Sequence, residues 1–382
     1  MNTESLALTL QQLSSSLQAK SAGFCFRITA GFDGFVDQII EVVNKRYSVS
    51  SYDRLETITQ FGERILRSAG LSTNIELVPK LVKIGGNGPI MANALAATGQ
   101  QVSYLGALGT PEIDPTFHEF VQRCRYVVSF ANPGRTDAVE FLDGKILLGK
   151  LTSLNEITWE NLTAGLSLEM LRELFAEADL VVTVNWTMTP YMNDLWEKLY
   201  QFLGTVEFTK QPYLFVDLAD PEKRSKEDIK QAMEFLRRFS RYYRVVLGLN
   251  LKEAAEVAKA MEIELLQPCE ERALGEITQA LSRNLRLWGV VVHSVRACAA
   301  VCDQELAAVS GPYCEKPKLT TGAGDNFNAG FCLGMLLKLP LAETLALASA
   351  SSGFYVRHGR SPSFTDLQDF VVLWQSNIGK SF

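Results

Sequence analysis

From about residue 164 the chain alternates helical stretches with short runs of apolar, mostly β-branched residues. Leu180-Val181-Val182-Thr183-Val184 follows a helical pattern over 167–178, and Tyr213-Leu214-Phe215-Val216 follows one over 191–203. Val245-Val246-Leu247-Gly248-Leu249 follows 226–239, and a fourth pair ends in Val290-Val291-Val292. These runs show no polar alternation, so both of their faces need cover. That is the condition of parallel strands between layers of helix. The pattern predicts an α/β fold, doubly wound, with a mostly parallel central sheet and helices on both faces. Such sheets bind ligands beyond the carboxyl ends of their strands. Asn185, Asp217 and Asn250 stand at three successive ends and predict a polar crevice there.

Two regions break this rhythm. Residues 74–84 carry Ile75, Leu77, Val78, Leu81, Val82 and Ile84, and residues 126–151 carry the turn signals Asn132-Pro133-Gly134 and Asp143-Gly144-Lys145. Both read as antiparallel β segments inserted into one domain that spans 1–382. They are expected to pair with each other as a small sheet over the crevice, in the manner of a lid.

Apolar residues make up 47% of the chain and charged residues 21%, proportions of a globular protein rather than a disordered one. The net charge is −6 and there is no basic stripe, which argues against a nucleic-acid partner. Arg237, Arg238, Arg241 and Arg244 read as a solvated helix face. No apolar run is long enough to span a bilayer. Residues 1–20 form an amphipathic pattern without a charged start or a cleavage site. A cytoplasmic protein with no membrane partner is the expectation. The seven cysteines are scattered, with no CxxC pair and no metal-ligand spacing to the three histidines, as for reduced, mostly buried thiols.

The chemistry is concentrated in Thr320-Thr321-Gly322-Ala323-Gly324-Asp325-Asn326-Phe327. A Gly-Ala-Gly turn opens a helix predicted over about 325–338. Glycines admit close backbone approach, and the free amides at a helix start make an anion site. A carboxylate at that place, Asp325, suits a base that takes a proton from a hydroxyl attacking phosphorus. The helix dipole is expected to keep it ionised at neutral pH. The alternative is an aspartate that caps its own helix, which requires no flanking glycines.

This segment resembles the carboxyl-terminal signature of the ribokinase-like, or phosphofructokinase-B, family of sugar kinases, Asp-Thr-x-Gly-Ala-Gly-Asp-x-Phe. Thr320, Gly322, Ala323, Gly324, Asp325 and Phe327 match, and Leu319 stands where the family has its first Asp. The resemblance implies that Asp325 is the base and that the amides of Ala323, Gly324 and Asp325 form an anion hole after Gly322. It implies ATP and Mg²⁺ as cofactors and a small sugar-like compound as phosphate acceptor. Upstream, Gly85-Gly86-Asn87 followed by a helix of small residues to Gly99 resembles the amino-terminal signature, although Asn87 and Ile90 stand where the family often has Lys and Asn. Gly85, Gly86 and Asn87 are implied substrate contacts. In Gly31-Phe32-Asp33-Gly34-Phe35-Val36-Asp37, after a strand read as 24–29, Asp33 and Asp37 are both candidates to accept sugar hydroxyls. Asn250-Leu251-Lys252-Glu253 resembles the motif that organises Mg²⁺ and phosphate through water, and is equally a capping box. Asp217–Arg224 resembles a further family segment loosely.

The stretch His293–Cys298 lacks the glycines that the family carries beside its nucleotide, and His293 reads as a packed strand-end residue. Arg296 reads as solvated, with reach to a phosphate as the alternative. Three outcomes therefore stay open: a kinase of sugars, a kinase of nucleosides or sugar phosphates, and a homologue that binds without catalysis. Lys83, Arg135, Lys145 and Lys150 would suit a phosphorylated sugar, or be surface charge. The lid would also offer a surface for a homodimer.

Overall fold

A computed structural model describes residues 3–20, 23–267 and 269–380. Its strands are β1 (Arg27–Phe32), β2 (Phe35–Arg46), β3 (Tyr52–Arg54), β4 (Leu77–Gly85), β5 (Gln101–Gly106), β6 (Tyr126–Ser129), β7 (Gly134–Phe141) and β8 (Gly144–Lys150). They continue as β9 (Leu180–Val184), β10 (Tyr213–Asp217), β11 (Arg244–Asn250), β12 (Gly289–His293), β13 (Ala297–Cys302) and β14 (Glu305–Ser310). Nine of them form one sheet in the order β14-β13-β12-β11-β10-β9-β1-β5-β6. It is parallel from β12 to β6 and ends in the antiparallel pairs β12–β13 and β13–β14.

The absence of alternation has the predicted cause. Every residue of β9 is buried, and so are Leu214–Asp217 and Gly289–Val292. One apolar layer, including Phe175, Trp196, Leu236 and Leu281, covers one face. A second, including Leu13, Leu95, Phe331 and Ala346, covers the other. Helix starts are set by side chains: Ser167 and Ser225 accept from backbone amides three residues on, and Ser363 forms a capping box with Asp366. Among the described residues no helix is long and apolar enough to cross a membrane.

The small sheet differs from the expected pairing. Its centre is β2, and the two inserted segments meet only through that strand: β4 runs antiparallel to β2, while β7 runs parallel to it and hairpins into β8. The first part of 126–151 is not lid at all, because β6 lies at the edge of the large sheet against β5. The signal for β2 was the run Ile39-Ile40-Glu41-Val42-Val43, which follows the Asp33–Asp37 motif directly. Val42, Leu55, Phe61, Val139 and Phe141 give this sheet a core of its own. The first strand begins at Arg27 and ends at Phe32, three residues later at each end than read from sequence. The Asp325 helix runs Ala323–Leu336, so the aspartate lies inside its first turn.

Candidate active site

The order of the large sheet reverses at β1, between β9 and β5, where Asp33 after β1 meets Asn185 after β9. Asp33, just past β1, is fully buried. Its Oδ1 accepts from the Gly88 amide at 2.8 Å, and its Oδ2 accepts from the Asn87 amide at 3.1 Å and from Asn185 Nδ2 at 2.6 Å. Burial raises its pKa to about 6 against these three donors. Asp33 thus holds the start of the helix Asn87–Ala97 and ties it to the end of β9, with both oxygens taken by protein.

Asp37 is placed differently. The β register sets it opposite Lys83 on β4 and Thr136 on β7. Burial raises its pKa, while Lys83, the Thr136 hydroxyl and Lys145 pull it down. A Cβ on Gly85 would lie 2.3 Å from the Asp37 carboxyl, so glycine leaves that carboxyl its place. Asp37, Gly86, Asn87, Thr136 and Asp325 line one cavity of about 340 Å³ against the small sheet.

Asp325 is buried and does not cap its helix. The N-cap is Gly322, at φ 98° and without a side-chain cap, and a side chain there would meet the Tyr355 hydroxyl at 2.7 Å. The Asp325 Oδ1 instead accepts from Asn87 Nδ2 at 2.9 Å. Burial pushes its pKa up to about 8; the Asn87 donor lowers it, the charges of Asp33 and Glu253 raise it, and Lys83 lowers it. Burial thus works against the ionised state expected at this helix start.

On the other side of the Gly-Ala-Gly turn lies a cavity of about 500 Å³. Thr320, Ala323 and Gly324 form its edge toward the turn, Asn250 and His293 its strand-end side, and Val295 and Val356 part of its apolar wall. His293 packs tilted against Phe327 with ring centroids 4.7 Å apart, and burial lowers its pKa to about 4, so the imidazole is neutral. Arg296 turns away and lies over the Tyr313 ring at 3.7 Å. His118 is exposed, and His358 stacks on Phe354.

Asn250 and Glu253 form the capping box expected of them: the Asn250 side chain accepts from the Glu253 amide and the Glu253 carboxylate accepts from the Asn250 amide. The second Glu253 oxygen accepts from the Asp220 amide at 2.9 Å. Asp217 is buried beside this box, accepts from Asn328 Nδ2 at 2.7 Å, and is pushed well up by burial and by the charges of Glu253 and Asp325. Among the described residues no group of three His, Cys, Asp or Glu could cage a metal ion. The buried carboxylates of Asp217, Glu253 and Asp325 repel one another, only partly offset by Lys83 and Lys252, and such a set suits a hydrated cation carried on phosphate. Sequence reasoning gave no role to Thr136, and offered Lys83 and Lys145 only as contacts to a phosphorylated sugar or as surface charge. Thr136 had no signal, and the lysines could not be told from surface charge without the strand register.

A parallel sheet with a crevice at its switch point and a buried carboxylate on a helix opened by Gly-Ala-Gly is the ground plan of the ribokinase-like kinases. An adenosine kinase from Sinorhizobium meliloti superposes with a TM-score of 0.64 at 16% identity, covering 92% of this chain and 99% of that one. A ribokinase from Cryptococcus neoformans, solved in complex with ADP, gives 0.62 at 15% identity, covering 91% and 99%. These likenesses establish the fold. In sequence, the chain is 31% identical over 347 residues to a ketohexokinase of Haloferax volcanii, covering 90% of each. The family model described as prokaryotic ketohexokinase matches residues 9–373, and the chain belongs to that family.

Proposed function

We propose that this sugar kinase transfers the γ-phosphoryl group of ATP to a hydroxyl of a ketohexose, with Asp325 as the general base. The observation that carries this reading is that one turn separates two cavities. Ala323 and Gly324 border the one, while Thr321, Gly322 and Asp325 border the other. A nucleotide in the first and a sugar in the second would meet at the amides that open the Asp325 helix.

In this arrangement Asp37 accepts sugar hydroxyls, with Lys83 and Thr136 holding it in place. Asn87 occupies one oxygen of Asp325 and leaves the other for the proton of the attacking hydroxyl. As the new O–P bond forms, the bond to the ADP oxygen breaks, and the amides of Ala323, Gly324 and Asp325 take up charge on the transferred group. Asn250 and Glu253 fit the hydration shell of Mg²⁺, which neutralises the triphosphate when bound.

The lid cavity contains Asp37, Glu140, Asp220, Glu253 and Asp325 against Lys83, Lys145 and Lys223. This excess of carboxylates favours a neutral polyol over a phosphorylated sugar. Arg135 and Lys150 are outside it, paired with Asp114 and Asp137. Leu81, Val82 and Leu148 are exposed on the lid, and a second copy of the chain, bringing the same apolar strips, is the occupant they suit. Sedimentation of the wild type against Leu148→Lys tests that point.

The decisive assay is ADP release with ketohexoses, aldohexoses, nucleosides and sugar phosphates. Turnover confined to ketohexoses is expected, and turnover confined to nucleosides would remove the substrate assignment.

A further inference from the structure

We propose that Lys145 is a catalytic residue delivered by the lid, whose ammonium contacts the phosphoryl group during transfer. This rests on the sugar-kinase reading of the site. Lys145 stands at the start of β8, in register with Glu140 on β7, at the rim of the small sheet. Its ammonium crosses to the loop ahead of the Asp325 helix and donates to the Thr321 hydroxyl. Thr321 precedes Gly322, so the positive charge rests at the mouth of the anion site, on the same cavity as Asp325.

All three lysines of the cavity have acidic neighbours, Lys145 in Glu140 across the β7–β8 pair and in Asp37, but they differ in what their ammoniums bond to. Lys83 faces Asp37 across the β2–β4 pair, and Lys223 pairs with Asp220 at 3.1 Å. The hydrogen bond of Lys145 goes to a neutral hydroxyl, a partner that an anion would readily displace. The reaction supplies that anion. Transfer carries negative charge from the nucleotide side of the turn to the sugar side, where the helix amides offer partial charge only. A full charge on the lid reaches this spot only when the lid lies over the crevice. Lys145 would then couple closure to chemistry and keep ATP from reacting with water while the lid is open.

The test uses Lys145→Met, which keeps the length and removes the charge, and Lys145→Arg, which keeps the charge. The Met variant should lose about a hundredfold or more in kcat, as for loss of one oxyanion donor. Its KM for the ketohexose should change by less than about threefold, since uniform binding is untouched. By calorimetry with the sugar present, it should bind ADP normally and the non-hydrolysable analogue AMP-PNP about tenfold more weakly, because only the latter has a γ-phosphate. The Arg variant should recover part of both losses. Full activity of the Met variant overturns the proposal. So does a raised sugar KM at unchanged kcat, which would make Lys145 a sugar ligand, or equal weakening of ADP and AMP-PNP. If the Met variant does not fold, the Arg variant decides alone: its γ-phosphate analogue must still bind more tightly than ADP. A wild type inactive on every acceptor would instead refute the kinase reading.

Discussion

Asn87 Nδ2 donates to Asp325 Oδ1 across 2.9 Å, joining two helix starts that are 238 residues apart in the chain. One start opens from the lid strand β4 and the other from the Gly-Ala-Gly turn. The contact gives the proposed base a fixed direction and pulls its pKa down from where burial alone would put it.

Asn87→Ala should therefore move the acid limb of the kcat/KM profile upward. Asp325 stands at about 8 with the donor in place, and loss of the donor raises it further. The activity of the variant at pH 7 should fall more than its activity at pH 9. A limb that stays in place, or moves to lower pH, would show that Asn87 does not act through Asp325.

Asp325→Asn should keep ATP and sugar binding and lose about a hundredfold to ten-thousandfold in turnover. Its stability should carry a signature as well. The folded carboxyl is raised to about 8 from an ordinary 3.8, so the folded state binds the extra proton between those values. Wild-type stability then declines as pH rises through that window, while asparagine has nothing to ionise. The thermal midpoint of the variant should gain on wild type from pH 5 to pH 8. A constant gap would place the titration elsewhere.

The two upstream aspartates should separate cleanly. Asp37→Asn is expected to raise the sugar KM by about tenfold, through loss of a charged acceptor, with the ATP KM nearly unchanged. Gly85→Ala should imitate it, since its new methyl would displace the Asp37 carboxyl. Asp33→Ala should instead cost about 1–3 kcal/mol of stability by stranding three buried donors. Equal loss of stability in both aspartate variants would contradict the division.

Glu253→Gln should raise the Mg²⁺ concentration needed for half-maximal rate, leaving the sugar KM close to wild type. Glutamine offers one acceptor where two amides now bond, so a modest fall in melting temperature should accompany it. A large change in sugar KM with an unaltered Mg²⁺ response would move Glu253 out of the phosphate end.

The large sheet was legible because its central strands are covered on both faces, and such coverage leaves an unbroken apolar run. The Asp325 turn was legible because Gly-Ala-Gly before an acid is poorly explained by packing alone. The lid was harder to read. β4 carries four consecutive exposed residues, Pro79–Val82, and β8 is exposed at six of its seven positions, so neither showed the burial that guides strand pairing. The pairing partner, β2, was hidden behind a motif that drew attention to its first three residues. Asp33 and Asp37 could not be ranked from sequence, because what distinguishes them is which donors the fold brings near. The pKa of Asp325 was misjudged for a similar reason: the dipole is visible in the sequence, and the depth of burial is not.

Phe35 is in register with both Gly85 and Gly134, so three lid strands emerge from the body side by side. Only Asp33 and Gly34 separate β2 from β1. With the Asp33 carboxyl fastened by three donors, that joint is no free pivot. A sheet clamped at its root in this way would resemble a leaf spring, free to bend only along its length toward β3 and the β7–β8 turn. A sugar pressing on it would load that clamp, which includes the first turn of the helix that carries Asn87. Substrate arrival would thus be felt at the base as tension, before any phosphate is in place.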